Sequence, residues 1–546
     1  MPLMNLTVGQ LLDEKAKKHP EHEAAVYPEK GIRWTYEQFN EKVNDAAKGL
    51  MALDIEKGDH VAIWSDNKPE WLTSQFATGK MGAVLVTVNT SYQAAELEYL
   101  LKQSDSSTLI LAESYKGTSY IDILKELCPE LEHCEKGELQ SERLPHLKNI
   151  IVLSDQEYSG CYSWKDIIEL GANRVTDQQL EERSNSLDCH EVINMQYTSG
   201  TTGFPKGVML SHHNIVNNGK QIAECMQFTE KDRLCIPVPF FHCFGCVLGT
   251  MAAVSKAATM VIVEQFDPEK VLEAVSKEKC TALHGVPTMF IAELNHPKFD
   301  QYDFSHLRTG IMAGSNCPIE VMKDVMDKMG ASEITITYGQ TESSPAITQT
   351  KTDDPIDRRV STVGKRHPNV EIKVVDPSTN EEVAPNEPGE LCTRGYHVMK
   401  GYYNNEEETK NAIDEDGWLH TGDIAIVDDD GYVQITGRIK DMVIRGGENI
   451  YPREIEEYLY QHPDILDVQV VGVPDAKYGE ELMAWVIAKE ESNLTEEDLR
   501  EFCKGNIAFH KIPKYIQFTK EYPMTASGKV QKYKLRQEAE QLLAKH

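Results

Sequence analysis

The chain has no apolar run that approaches the roughly 20 residues a bilayer-spanning helix requires. Its start, MPLMNLTVGQLLDEKAKKHP, lacks an apolar stretch followed by a small-residue cleavage site, so no secretory leader is expected. Basic residues are scarce: 56 Lys and Arg face 87 Asp and Glu, a net charge of -31 over 546 residues. Charge of that sign argues against a nucleic-acid or anionic-membrane surface, and any anionic ligand must find a local basic pocket. Cysteine is thin as well. Twelve in so long a chain give no disulfide framework and point to reduced thiols in the cytoplasm. His242, Cys243 and Cys246 in FHCFGC look like half of a zinc or redox site. A structural zinc site needs a second ligand pair at defined spacing, none is clearly placed, and a wall of small soft side chains is the simpler reading. Solenoid repeats and low-complexity tracts are also missing.

The length exceeds what one hydrophobic core organises and predicts several subdomains. The first 190 residues alternate helical and strand-like patterns, as in the amphipathic stretch Thr35 to Leu53 and the short runs HVAIWS and STLILA. The rhythm recurs later. ATMVIV, CTALHG, LRTGIMAG and EITITYG read as strands, separated by helices over Pro268 to Lys277, Pro287 to Leu294 and Pro318 to Met329. Helix and strand in alternation predict a parallel sheet, and ligands of such sheets bind at the carboxyl ends of the strands. HGVPT, AGSNC and YGQTE stand at those ends and are candidates for one crevice, although each alone is an ordinary turn.

After about residue 350 the chain turns strand-rich with acidic turns, in NVEIKVVDP, GELCTRG and DGYVQITG. From about Lys440 it reads strand, helix, strand, strand and helix. The end is locally basic: Lys504 to His546 carries nine Lys or Arg and three Asp or Glu, either a solvated tail or a lid presenting cations to a polyanion. The predicted class is α/β: a large N-terminal domain of doubly wound α/β subdomains with a β-rich subdomain, and a small mobile C-terminal α+β domain. Its boundaries are set at 1–437, a hinge at 438–441, and 442–546.

YTSGTTGFPKGVMLSH, Tyr197 to His212, reads as a strand that stops, a loop of hydroxyls and glycines ending at Lys206, and then a helix. A Walker loop needs glycine directly before the lysine and a hydroxyl after it, and here Lys206 follows proline and precedes glycine. The chemistry is still that of an anion cradle. Thr198, Ser199, Thr201 and Thr202 offer hydroxyl donors, Gly200 and Gly203 allow close backbone approach, and Lys206 supplies charge.

With that loop the chain resembles the adenylate-forming superfamily of acyl-CoA synthetases, firefly luciferases and peptide-synthetase adenylation domains. YGQTE at Tyr338, DGWLHTGD ending at Asp423, GRIKD at Gly437 and PMTASGK ending at Lys529 follow in that family's order, so the resemblance spans essentially the whole chain. It implies two half-reactions: ATP and a carboxylic acid give an acyl adenylate and pyrophosphate, and a thiol then displaces AMP. By resemblance Glu342 holds Mg²⁺, with Thr201 beside it, and Lys529 bridges the attacking carboxylate and the α-phosphate. The loop from Thr198 to Lys206 surrounds the β- and γ-phosphates, and Asp423 and Arg438 hold the ribose. Gly314 and Ser315, with Tyr338, Gly339, Gln340 and Thr341, contribute adenine contacts and pocket walls. Lys440 matches the hinge, and Arg445, Gly446, Gly447 and Glu448 line the pantetheine route of CoA; a tight hairpin is an equally simple reading of Gly446 and Gly447.

For the acyl pocket the resemblance offers His242 as a gate, with Gly245, Val286, Ala313 and Gly314 as walls, although a lone His in an apolar stretch is more often a packed core residue. Gly245, Gly249 and Ala252 leave space for an acyl chain or serve helix packing. No basic residue in the wall segments holds a second carboxylate and no placed acid reads an amino group, which favours an apolar acid. The run GRIKDMVIRGGENIYPREIEE looks like that of bacterial and mitochondrial medium- or long-chain fatty acyl-CoA synthetases. The resemblance implies a medium- or long-chain fatty acid, ATP and free CoA as substrates, with Mg²⁺ as cofactor; a homodimer is compatible with the chain. Rival readings are a fatty acyl-AMP ligase serving a carrier protein, an aryl or small-acid CoA ligase, and a nucleotide sensor without catalysis.

Overall fold

The computed structural model describes residues 2–198 and 204–544. Two large sheets carry the N-terminal part. One has eight strands, of which four adjacent ones, Val84–Thr87, His60–Trp64, Thr108–Ala112 and Asn149–Leu153, run parallel. The other has nine strands, with Thr259–Ile262, Arg233–Ile236, Ala282–Gly285, Thr309–Met312 and Thr335–Gly339 parallel in its middle. Their residues are apolar on both faces, as parallel strands covered by helices on each side must be.

Two helices join the sheets. In Pro69–Met81 every residue but Glu70 is buried, and His212–Cys225 is nearly as enclosed. A helix covered all round belongs between layers. Trp71, Phe76 and Val216 accordingly share one apolar cluster with Ile63 of the first sheet and Ile236 and Met260 of the second. Local signals set the helix ends. Tyr36–Met51 starts on Thr35, whose hydroxyl accepts from the Gln38 N–H while the Gln38 side chain returns to Thr35. Pro268–Lys277 and Pro287–Leu294 begin with proline at the first turn, where its missing N–H costs nothing.

A four-stranded antiparallel sheet, Val370–Val375, Gly389–Gly395, Leu419–Val427 and Val433–Arg438, forms the β-rich part. The small C-terminal domain is a five-stranded sheet built on the long hairpin Ile465–Asp475 and Gly479–Ala488, flanked by helices Pro452–Leu459, Glu496–Cys503 and Lys532–Leu543. It has its own apolar clusters, around Val468 and Leu482 on one face and Val471 and Trp485 on the other.

One local expectation is corrected. The loop after Tyr197 does not run into a helix: the strand Gly207–Ser211 intervenes, pairing antiparallel with Val192–Tyr197 so that Tyr197 faces Gly207. The loop therefore caps a hairpin, and the helix begins only at His212. GVMLS is too short for periodicity to separate strand from helix, and its neighbours in the sheet decide.

The strand Thr335–Gly339 and its partner Ala346–Gln349 fix the YGQTE segment. A Cβ on Gly339 would lie 1.8 Å from the Pro345 carbonyl oxygen, backbone against backbone. Gly339→Ala is expected to force this hairpin open and cost about 1–3 kcal/mol, the usual range for overpacking. A denaturant titration reads it as a lower midpoint, whereas an unchanged midpoint would mean that the hairpin is not held at this distance.

Candidate active site

The carboxyl ends of the second sheet's strands meet the tip of the C-terminal domain. Thr288, in the first turn of Pro287–Leu294, donates its hydroxyl to the Gly528 carbonyl at 2.8 Å. This anchors the turn whose next residue is Lys529. The turn is closed by Thr525, whose N–H donates to the Lys529 carbonyl at 2.7 Å and whose hydroxyl accepts from the Lys529 N–H at 3.0 Å. A second tie joins the domains, since the Ile319 N–H donates to Glu457 at 3.1 Å.

The Lys529 side chain passes over Gly314, where a Cβ would stand 3.3 Å from its Cε and 3.0 Å from Val286. Gly314 also has φ +91, so glycine is required there on both counts. Burial lowers the Lys529 ammonium below the usual lysine value, and the positive charge of Arg438 lowers it further, against the pull of Cys243, Asp423 and Glu342.

His242 faces the same lysine. Burial holds its imidazole well below the usual histidine range, and the Lys529 charge adds to this, so the ring is neutral. Its Nδ1 accepts the Phe244 N–H at 3.2 Å. The remaining proton of the neutral ring then resides on Nε2, which is a donor. Beyond His242 the chain forms a π-helical turn, Phe244–Gly249, an element common at functional sites. Gly245 does not open space here: a Cβ would lie 2.3 Å from the Pro239 carbonyl oxygen, so its smallness serves backbone packing. Val286 and Ala313 are both buried.

Two carboxylates are oriented by phenols. The Tyr338 hydroxyl donates to Asp423 at 2.6 Å, and Arg438, opposite Asp423 in the adjoining strand, approaches its other oxygen at 3.6 Å. Burial raises the Asp423 carboxyl, opposed by Arg438 and the Tyr338 hydrogen bond. The Tyr402 hydroxyl donates to one oxygen of Glu342 at 2.8 Å, and the Met399 N–H donates to the Glu342 carbonyl at 2.9 Å. Among the described residues the second Glu342 carboxylate oxygen has no hydrogen-bond partner. A carboxylate held by one oxygen and free at the other is a fitting ligand for a hard cation such as Mg²⁺. Thr341 lies beside Cys243, 3.9 Å from hydroxyl to thiol.

Lys206 is placed by residues outside the loop. It pairs with Glu408 at 2.8 Å and stands 4.6 Å over the Tyr402 ring, so it shares a neighbour with Glu342. The Thr198 N–H donates to the Lys206 carbonyl at 3.1 Å. Ser199, Gly200, Thr201, Thr202 and Gly203 lie outside the described residues. Gln340 donates its N–H to the Pro345 carbonyl, and Ser315 is exposed at the crevice mouth.

The remaining candidates are not in this cluster. Lys440 is exposed in the short turn Ile439–Asp441 between the two domains' strands. Arg445 and Glu448 face each other across a hairpin whose turn residues, Gly446 and Gly447, have φ +60 and +90. Arg445 pairs with Glu481 at 2.6 Å and lies 4.1 Å over the Tyr478 ring, both in its own domain. Sequence reasoning placed Thr288 at the crevice within HGVPT but gave it no role, and it missed Tyr402, Glu408 and Glu457. Each acts on a residue far away in the chain, and only the doubled tyrosine of KGYYNN gave any signal.

Similarity to known proteins follows the same division. The family model described as AMP-binding enzyme matches residues 12–403, and that of the AMP-binding enzyme C-terminal domain matches residues 454–529. YngI of Bacillus subtilis (strain 168), whose acyl-CoA synthetase name is provisional, is 62% identical over 98% of this chain and 97% of its own. The mitochondrial medium-chain acyl-CoA ligase ACSF2 of Bos taurus is 42% identical over 99% of this chain and 89% of its own. Among solved structures, the anthranilate CoA ligase AuaEII with anthranoyl-AMP aligns over 100% of this chain and 99% of its own with a TM-score of 0.87 at 26% identity. With both models matched in order across its two domains, the chain belongs to the AMP-binding enzyme family.

Proposed function

We propose that the chain is an ATP-dependent fatty acyl-CoA synthetase acting on medium- or long-chain acids. The observation that carries this reading is the delivery of Lys529 by the C-terminal domain into a crevice that also holds His242, Glu342 and Asp423. The named acyl-CoA synthetases among its relatives support it, and the apolar Val286, Ala313 and Phe244 around the lysine favour an aliphatic acid.

In this reading the substrate carboxylate lies between Lys529 and the His242 Nε2–H. The ammonium offsets the repulsion between an attacking carboxylate and a polyphosphate and stabilises charge developing on the α-phosphate. His242, kept neutral, donates a hydrogen bond without adding charge. Asp423 accepts the ribose hydroxyls, its geometry set by Tyr338, and Arg438 closes the same side. Glu342 and Thr201 hold Mg²⁺, which when bound neutralises phosphate charge. Thr198, Lys206 and the loop between them enclose the terminal phosphates. Gly314, Ser315, Gly339, Gln340 and Thr341 form the walls against the adenine and the acyl group.

Thiolysis needs a different face of the small domain. With 1–437 and 442–546 as rigid parts and 438–441 as hinge, rotation at Lys440 withdraws Lys529 and brings Arg445, Gly446, Gly447 and Glu448 to the crevice for CoA. No described helix is long and apolar enough to cross a membrane. A cytoplasmic location and a homodimer are part of the same proposal.

Pyrophosphate release from Mg·ATP, measured across saturated fatty acids of increasing length with benzoate and acetate, tests the assignment directly. Sustained release with fatty acids and CoA is expected; release with aryl acids alone would transfer the chain to the aryl ligases. In the same assay Lys529→Ala should lose adenylate formation by at least ~10²-fold, as removal of a transition-state donor does, while a supplied acyl adenylate still reacts with CoA. Equal loss of both half-reactions would reject the role given to Lys529.

Because Lys529 works protonated and its free-enzyme pKa is lowered, kcat/KM for ATP should fall on the alkaline side before the usual lysine value of 10.5 is reached. Lys529→Arg should move that fall to higher pH, since guanidinium keeps its charge. A limb unmoved by the substitution belongs to another group. Tyr402→Phe should weaken Mg²⁺ dependence, raising the concentration for half-maximal rate by ~10-fold, the order seen when a partner of a metal ligand is removed. An unchanged Mg²⁺ titration would detach Glu342 from the metal.

A further inference from the structure

A second cationic cavity lies apart from the Lys529 crevice, behind the segment that supports Glu342. It measures about 570 Å³ and is bounded by the start of helix His212–Cys225, residues 395–400 and helix Glu406–Ala412. His190, His213, Lys400 and Lys410 line it, and no carboxylate does. In a chain with 87 acidic residues against 56 basic ones, four cationic or protonatable groups around one cavity without a lining acid is a pronounced local reversal.

Neither Lys400 nor Lys410 has an ion pair among the described residues, so both ammonium groups are available to a ligand. His213 is the sharper sign. The residue is 8% exposed, and its ring nitrogens, accessible from the cavity, have no hydrogen-bond partner among the described residues. Its ring lies 4.5 Å from that of His190. Burial lowers the His213 imidazole below the usual histidine value, and His190 and Lys400 lower it further. The His213 nitrogens are open to the cavity, so the ring can hydrogen-bond to what enters it. Asp188, outside the lining, accepts the His190 backbone N–H at 2.7 Å, and its carboxylate lies within 4.8 Å of the His190 ring.

Backbone groups take little part. The first N–H groups of the helix are already used, those of His212 and His213 by the Glu191 and Cys189 carbonyls and that of Asn214 by the Ser211 hydroxyl. Recognition therefore rests on side chains that converge from three elements. Two lysines and an imidazole match a dianion with several acceptor oxygens, as a phosphate monoester has. Tyr396, Met399 and Ile413 supply an apolar wall for an organic group.

We propose that this cavity binds a small organic phosphate and is a second anion site, separate from the nucleotide crevice. The site is coupled to the first by the chain itself: Met399 lines the cavity and its N–H holds the Glu342 carbonyl, and three residues on, Tyr402 holds the Glu342 carboxylate.

Phenyl phosphate, titrated by calorimetry into the full chain saturated with AMP, tests this with the nucleotide crevice filled. Saturable binding is expected, with inorganic phosphate binding more weakly for want of the apolar contact. The double variant Lys400→Met, Lys410→Met should weaken binding by ~10-fold or more, as loss of charge-assisted contacts does. Both side chains are exposed, so this variant should keep the parent's melting midpoint. In the wild-type chain the His213 ring proton resonances should shift on titration, with His213→Gln as the assignment control. Absence of saturable binding in the presence of AMP, or binding unaffected by the double lysine substitution, overturns the proposal.

Discussion

The candidate site depends on a single short contact between domains, the hydrogen bond from Thr288 to the Gly528 carbonyl. It seats a turn rather than a side chain, and the next residue, Lys529, then has one direction to take, across Gly314 and against Val286. A flexible four-carbon stem is thereby aimed by backbone. The cost is carried by the lysine, whose charge is brought among apolar atoms and beside Arg438, lowering its proton affinity. A cation held under such conditions gains strongly from an arriving anion, which is what a crevice in a chain of net charge -31 needs if it is to hold a polyphosphate.

The acids of the site are managed in the opposite way. Asp423 and Glu342 each commit one oxygen to a tyrosine; the other oxygen of Glu342 has no partner among the described residues, and that of Asp423 faces Arg438 at 3.6 Å. Tyr338 and Tyr402 remain donors because burial first, and then the neighbouring carboxylate, pushes their own ionisation upward. A phenol suits this role because it orients a carboxylate while leaving its charge intact, whereas an arginine in the same place would neutralise it. Lys206 supplies the local balance, shared between Glu408 and the face of Tyr402.

Much of this was legible in the sequence, for reasons that can be traced. Helices Pro268–Lys277 and Pro287–Leu294 carry their own start signals, so their extent follows from local chemistry. The strand ends GVPT, AGS and YGQT converge because parallel strands with intervening helices leave them no other side. What escaped depends on distant partners. Glu23–Tyr27 and its hairpin partner Ile32–Thr35 belong to the second sheet, with Ala25 opposite Met260, although the next strands in sequence, from His60–Trp64 on, build the first. Gly401–Tyr402 returns to the first sheet beside Gly207–Ser211, and that return brings Tyr402 to Glu342. The smallness of Gly245 was readable as space for a ligand or as packing, and only the position of the Pro239 carbonyl separates the two. The strand Tyr515–Phe518, added in parallel to the long C-terminal hairpin, left no alternation strong enough to be read.

The division into two domains follows from a conflict within the proposed reaction. Adenylate formation needs a cation beside the carboxylate and the α-phosphate, and thiolysis needs that approach cleared for sulfur. A lysine rooted in the large domain would answer the first need and obstruct the second. Placed on a domain with its own apolar clusters, joined through the turn at Ile439–Asp441 and seated by few polar contacts, it answers the first and can leave. Those contacts are hydrogen bonds that water can replace, worth about 0.5–1.5 kcal/mol net for the Thr288 bond and up to about 3 kcal/mol for one to a charged carboxylate, so withdrawal demands no disruption of either core. The same arrangement explains why Arg445 and the Gly446–Gly447 turn are ordered within their own sheet while still remote from the crevice. In the proposed reaction their geometry would be set before their use, and only the position of the domain would have to change.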